Sequence, residues 1–199
     1  MEVVPKRARK ILLCATGAYH AYTLPRIILQ LLHHFADDVQ VVLSRAAARI
    51  VSTYAVEVAS RHKVFIEMDD TVEHVFVPHI ELTRDVDLVL VYPASVSILG
   101  KVANGIADEL VSALIIAAEV PVIFMPIANP AMNDHPAVVR NVATLRDDGY
   151  TVLPPLPAME VATREGMAEF TGPFPIPTLL MQMRAALGAT AGAGHARRG

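Results

Sequence analysis

Four short runs rich in β-branched and other apolar residues, Ile11–Cys14, Val39–Leu43, Asp87–Tyr92 and Pro121–Met125, show almost no alternation with polar positions. Strands covered on both faces of a parallel sheet have this character, because neither face meets water. Between and after them lie segments with apolar residues at helical spacing: Leu24–Phe35, Ala46–Ala59, Ile98–Asn104, Glu109–Ala118 and Pro136–Asp147. Strands that alternate with helices of this length predict βαβ units and a single-domain, doubly wound α/β fold, a Rossmann- or flavodoxin-like three-layer sandwich with a mostly parallel sheet. The stretch Glu67–His79 is ambiguous, with Val75–Val77 a candidate for a further strand. Val152–Pro157 is proline-rich, Gly166–Pro177 reads as a long loop, and Pro177–Leu187 as a terminal helix. The domain is expected over residues 1–187, followed by a disordered Ala/Gly/Arg-rich tail over 188–199.

Composition sharpens the picture in three places. Of 199 residues, 53% are hydrophobic, and the mean hydropathy of +0.42 raises the question of a membrane. The most apolar window, Leu110–Ala128, is broken by Glu119, Pro121 and Pro126, whereas a spanning helix needs about 20 apolar residues in succession. No membrane partner is therefore expected, and the excess apolar surface predicts burial between subunits. The net charge of −3 conceals a basic head and tail around a body, residues 11–184, of net −8. Phosphate contacts need clustered Lys and Arg, so nucleic acid is not expected as a partner. Cys14 is the only cysteine, which excludes an intrachain disulfide and points to a reducing, cytoplasmic setting.

In a doubly wound sheet, ligands bind beyond the carboxyl ends of the strands. The loops there begin at Ala15, Ser44, Pro93 and Pro126. Thr16-Gly17-Ala18 is a tight turn into a helix, suited to phosphate through free backbone N–H groups, although it is neither a Walker loop nor a GxGxxG turn. Ser44 could offer a hydroxyl to the same phosphate or act as a plain helix cap. Pro93-Ala94-Ser95-Val96-Ser97 places small residues and hydroxyls beside a flat ligand, and Pro130-Ala131-Met132-Asn133 forms a proline-braced loop carrying one amide. Among eight histidines, His33 and His34 read as solvated, while His20 and His135 compete with His79 for a place in the site. None of them has a metal-ligand spacing such as HExxH, so no metal is expected.

The run His79-Ile80-Glu81 through Tyr92-Pro93-Ala94-Ser95 to Asn104-Gly105-Ile106-Ala107-Asp108, with Pro130-Ala131-Met132-Asn133 about 20 residues further on, resembles the homo-oligomeric flavin-containing cysteine decarboxylase family. The resemblance covers roughly residues 10–180. It implies that His79 is the active-site base and that Asn133 is catalytic beside it. It also implies a flavin, FMN with FAD as the alternative, held by Thr16, Gly17, Ala18, Ser44, Pro93, Ala94, Ser95, Ser97 and Met132. Ser97, Met132, Asn133 and Arg164 would meet the substrate. Two positions depart from the family pattern: its Pro-Ala-Ser-Ala-Asn-Thr has Ser97 in place of the asparagine, and its Met-Trp is Pro136-Ala137 here. Family members form trimers and dodecamers with the flavin at a subunit interface, so a homotrimer or homododecamer is implied.

The family's reaction oxidises a cysteinyl Cβ–S unit, after which the carboxylate leaves as carbon dioxide. In phosphopantothenoylcysteine decarboxylases a cysteine in an Ala-Cys-Gly clamp then reduces the product, and this chain has no cysteine after Cys14. The resemblance is therefore greatest to the epidermin-type enzymes, which stop at the enethiol. Their substrate is the C-terminal cysteine of a precursor peptide in lanthipeptide-type biosynthesis, and their clamp region resembles Met159–Gly166, with Gly166–Pro177 as a lid. Alternatives carried by the same resemblance are a phosphopantothenoylcysteine decarboxylase-like small-molecule enzyme, a flavin prenyltransferase and a non-catalytic regulatory flavoprotein.

Overall fold

A computed structural model of the chain describes residues 8–70, 77–154, 177, 179–181 and 183–185. Five parallel strands form one sheet in the order β2-β1-β3-β4-β5: β1 Ala8–Ala15, β2 Ala36–Leu43, β3 Leu88–Ala94, β4 Val122–Pro126 and β5 Thr151–Val152. This is the flavodoxin-like variant of the doubly wound fold, in which the chain reverses direction across the sheet between β1 and β3. The all-parallel pairing matches the unbroken apolar runs from which the strands were expected.

Successive side chains of a strand point to opposite faces, and β1 shows the consequence. Ile11, Leu13 and Ala15 enter one core with α1 (Leu24–His34), while Leu12 and Cys14 enter a second core on the other face. Leu24, Ile27, Ile28 and Leu31 recur at helical spacing and bury the inner stripe of α1. The second core takes Ile98, Leu99 and Val102 from α5 (Val96–Ala103) and Leu110, Val111, Leu114 and Ile115 from α6 (Leu110–Ala117). Both faces are therefore dry, which accounts for much of the high hydropathy. Among the described residues no helix is long and apolar enough to cross a membrane.

Several boundaries differ from expectation for identifiable reasons. The helix expected over Ala46–Ala59 is two, α2 Arg45–Ala48 and α3 Thr53–Ser60, because Ser52 caps a fresh start by accepting from the Ala55 N–H. Strand β3 runs past Tyr92 to Ala94, with a register shift against β4 between Val91 and Ala94 that accommodates Pro93 without a ladder donor. Val77 is not a strand residue but the cap of α4, Pro78–Glu81. The rest of the expected strand, residues 75–76, lies outside the described residues. The loop after β4 contains one helical turn, α7 Pro130–Asn133, before α8 Pro136–Asp147. Of the expected terminal helix, Pro177, Leu179–Met181 and Met183–Ala185 are helical. The lid over Gly166–Pro177, apart from Pro177 itself, and the 188–199 tail lie outside the described residues.

Candidate functional site

The reversal between β1 and β3 opens a crevice at the carboxyl edge of the sheet, where the turns after β1, β2, β3 and β4 converge. They enclose a cavity of about 570 Å³, within the ~300–1,000 Å³ usual for cofactor and small-molecule sites. Thr16, Gly17, Ala18, Ser44, Ser95, Ser97 and Met132 line it, so seven of the residues expected in the site are brought together.

Thr16 is a tie rather than an open ligand. Its hydroxyl donates to the Pro93 carbonyl at 2.7 Å and accepts from the Ser95 N–H at 2.8 Å, while its own N–H donates to Pro93 O at 3.1 Å. These bonds clamp the β1 turn to the end of β3 and use the single Thr16 proton. Pro93 and Ala94 are buried and stand behind the wall: Pro93 supplies the carbonyl for Thr16, and Ala94 accepts from the Ile127 N–H at 3.0 Å.

Gly17 sits where the β1 turn crosses α2. A Cβ there would collide with Ala46 Cβ and lie 3.5 Å from Ala46 Cα, so only glycine permits the approach. Ser44 caps α2 by accepting from the Ala47 N–H at 3.2 Å, as one of its two readings expects, and it also lines the cavity. Ser95 likewise caps α5 by accepting from Ile98 N–H at 3.4 Å, with its O–H available. Ser97 lies exposed in the first turn of α5, beside the positive end of that helix. Val96, Ile98, Ile127 and Met132 add apolar lining.

A phosphate-bearing, flat heterocycle fits this division. Gly17 carries no side chain where it crosses Ala46, Ser44 and Ser95 line the cavity, and the apolar lining of Ile98, Ile127 and Met132 suits a ring. Ionic groups of the wall are internally paired. The Lys101 ammonium meets Glu109 at 2.7 Å and Asp108 at 2.8 Å, which holds it more firmly protonated, and Arg45 forms a two-pronged pair with Glu67 at 2.5 and 2.6 Å. Among the described residues no group of three or more His, Cys, Asp or Glu is arranged to hold a metal.

Other expected residues stand apart. His79 lies half-buried on α4, which packs against α6, and is not part of the cavity wall; its Nδ1 is buried with no hydrogen-bond partner. Asn133 also lies outside the wall, and its amide donates to the Ala128 carbonyl at 3.0 Å, bracing the loop that carries Met132. Arg164 lies outside the described residues. Conversely, Tyr19, Arg45, Lys101, Glu109 and Ile127 line the cavity without having been singled out, and His20, named only as a competitor, is buried in its wall. Lys101 and Glu109 come from separate helices, and nothing in helical spacing signals that these ends converge. Cys14 is fully buried in β1, and desolvation pushes its thiol up to about 12, so no nucleophilic thiolate is available there.

The comparisons with known proteins agree with this fold. The chain is 35% identical over 147 residues to the coenzyme A biosynthesis bifunctional protein CoaBC of Bacillus subtilis, a match covering 74% of this chain and 36% of that protein. It thus spans about a third of the length of these bifunctional relatives. It is 35% identical over 160 residues to the phosphopantothenoylcysteine decarboxylase of Mus musculus, covering 76% of each. Among solved structures, the FMN-dependent cysteine decarboxylase TvaF from thioviridamide biosynthesis superposes with a TM-score of 0.68 at 31% identity, covering 74% of this chain and 90% of TvaF. Residues 2–182 match the family described as Flavoprotein. A doubly wound sheet, a cavity at its switch point and a match along nearly the whole chain lead to one conclusion: this chain belongs to the flavoprotein family, among whose members are the flavin-dependent cysteine decarboxylases.

Proposed function

We propose that this chain is an FMN-dependent oxidative decarboxylase of an N-acylated cysteine with a free carboxylate and thiol. The observation that supports the flavin reading is the cavity itself, lined by the Gly17 turn, by Ser44, Ser95 and Ser97, and by the apolar Ile98, Ile127 and Met132. Flavin, when bound, supplies the two-electron oxidation of the cysteinyl Cβ–S unit that makes the carboxylate a leaving group.

The residues of this chain have the remaining tasks. Ser44, Ser95 and the turn at Gly17 hold the phosphate, while Ile98, Ile127 and Met132 exclude water from the ring. Ser97, at the start of α5, and Met132 meet the substrate, with Arg164 as a further carboxylate partner. Asn133 acts by holding the Met132 loop through Ala128. His79 takes up the substrate proton as the general base. Its place outside the wall of its own chain fits a homo-oligomer in which α4 of one copy faces the cavity of another. With Cys14 sealed in β1, the product remains the enethiol.

The sequence relatives favour a small substrate of the phosphopantothenoylcysteine kind, since the mouse relative bears that name and matches over three quarters of both chains. A peptide ending in cysteine is the second reading, favoured by the likeness to TvaF at 31% identity and by the missing clamp cysteine. Mass spectrometry after incubation with each substrate decides between them. We expect loss of one carbon dioxide and two hydrogens from phosphopantothenoylcysteine; loss only from the peptide selects the second reading, and loss from neither overturns the proposal. A His79→Asn variant is expected to keep its bound flavin and to lose turnover by at least about 100-fold, the scale of general acid–base catalysis.

A further inference from the structure

The wall of the cavity contains a histidine to which neither the relatives' names nor the expected site assigns a task. His20 is 5% exposed, yet it lines the cavity beside the Gly17 turn. It belongs to a 3-10 turn, Tyr19–Thr23, that is held from below by β3. The Thr23 hydroxyl donates to the His20 carbonyl at 2.7 Å, and the same oxygen lies 3.2 Å from the Tyr92 hydroxyl. Because the one Thr23 proton goes to His20, Tyr92 is the donor in that second bond. The Tyr19 ring stands edge-on to the imidazole and the Tyr22 ring tilts toward it, both at 6.4 Å between centroids. The His20 backbone is thus tied to β3 through Thr23 and Tyr92, and the Tyr19 and Tyr22 rings flank the imidazole.

We infer that His20 is a flavin-binding residue, its imidazole forming a hydrogen bond to the ring system or ribityl chain of the bound cofactor. The inference rests on the flavin reading above. Burial lowers the His20 pKa below its ordinary value of 6.5, so the ring is neutral at neutral pH, with one nitrogen a donor and the other an acceptor. A phosphate would call for the cationic form and would favour it. A neutral, desolvated imidazole matches the uncharged carbonyls, ring nitrogens and hydroxyls of the remainder of the molecule instead. The phosphate has its own donors in Ser44, Ser95 and the Gly17 turn.

The test is equilibrium binding to flavin-stripped protein, read by quenching of flavin fluorescence, with FMN and with riboflavin. Wild-type protein is expected to bind both, FMN more tightly. His20→Phe, which keeps the ring and removes its nitrogens, is expected to weaken both about tenfold, the worth of one buried hydrogen bond, and to shift the visible bands of the bound flavin. His20→Asn, which retains a donor and an acceptor, is expected to recover most of the loss. Unchanged affinity and bands in His20→Phe overturn the inference, as does a loss seen with FMN and absent with riboflavin. If neither variant folds, the imidazole nitrogen resonances of His20 in the wild-type protein decide: they shift on adding riboflavin if the contact exists, and their constancy overturns it. Failure of the wild-type protein to bind either flavin overturns the flavin reading itself and this inference with it.

Discussion

At the scale of single residues, seven of the expected residues line one cavity, His79 and Asn133 stand outside its wall, and several spend their polar groups on the fold. Thr16, expected at a phosphate, lines the cavity and also joins β1 to β3 through its hydroxyl. Asn133 was expected at the ligand and braces Ala128. A sequence shows that a polar residue lies in a loop; it does not show which backbone groups reach it first. His20 carries a consequence for stability. Its folded pKa is below 6.5, so between that value and the lowered one the unfolded chain binds more protons, and stability falls as the pH falls through the window. Glu57 and Glu67, whose carboxyls are held below 4.5 by Lys63 and Arg45, lose their contributions only in more acid solution. Urea unfolding from pH 7 to pH 5 is expected to show this decline in the wild-type chain and a shallower one in His20→Asn; parallel curves would assign the decline to other groups.

At the scale of elements, unbroken apolar runs made the strands and the doubly wound class legible, because only a sheet covered on both faces favours such runs. Their ends were less so. Pro93 reads as a stop after Tyr92, yet the register shift between Val91 and Ala94 lets β3 continue through it. The Ala-rich spacing of 46–59 reads as one helix, whereas Ser52 caps a second. The close crossing of the β1 turn over α2 was foreshadowed only by the presence of Gly17. Since Ala46 fills the space a Cβ would need, Gly17→Ala has to push two elements apart. The expected cost is about 1–3 kcal/mol in urea unfolding, as for other overpacked sites, together with weaker FMN binding. Lost stability without lost affinity would separate the crossing from the phosphate cradle.

At the scale of the whole molecule, two dry sheet faces explain part of the hydropathy, and the surface holds more. Tyr54, Val58, Leu29 and Met181 are each more than half exposed, as are Tyr19 and Val139. Apolar surface of this extent, with His79 standing off its own cavity, is expected to be covered by further copies of the chain. Light scattering in solution should give a multiple of the monomer mass, a trimer at the least, and a monomer would leave His79 without a cavity to serve. Composition carries the expectation of an oligomer but not of the proposed placement of α4 at a neighbour, because periodicity locates faces within a chain and not between chains.

The buried position of Cys14 has an accounting consequence for electrons. Oxidative decarboxylation takes two electrons from each substrate molecule, and the one thiol of this chain is sealed in β1 and held protonated, so it cannot hand them back. Under the proposed reaction, an acceptor from solution is therefore expected to be consumed once per product. In air, dissolved oxygen can serve, and product and hydrogen peroxide are expected in equal amounts. In an anaerobic vessel the reaction should stop after one product per active site. Sustained anaerobic turnover without an added acceptor would mean that the electrons return to the substrate.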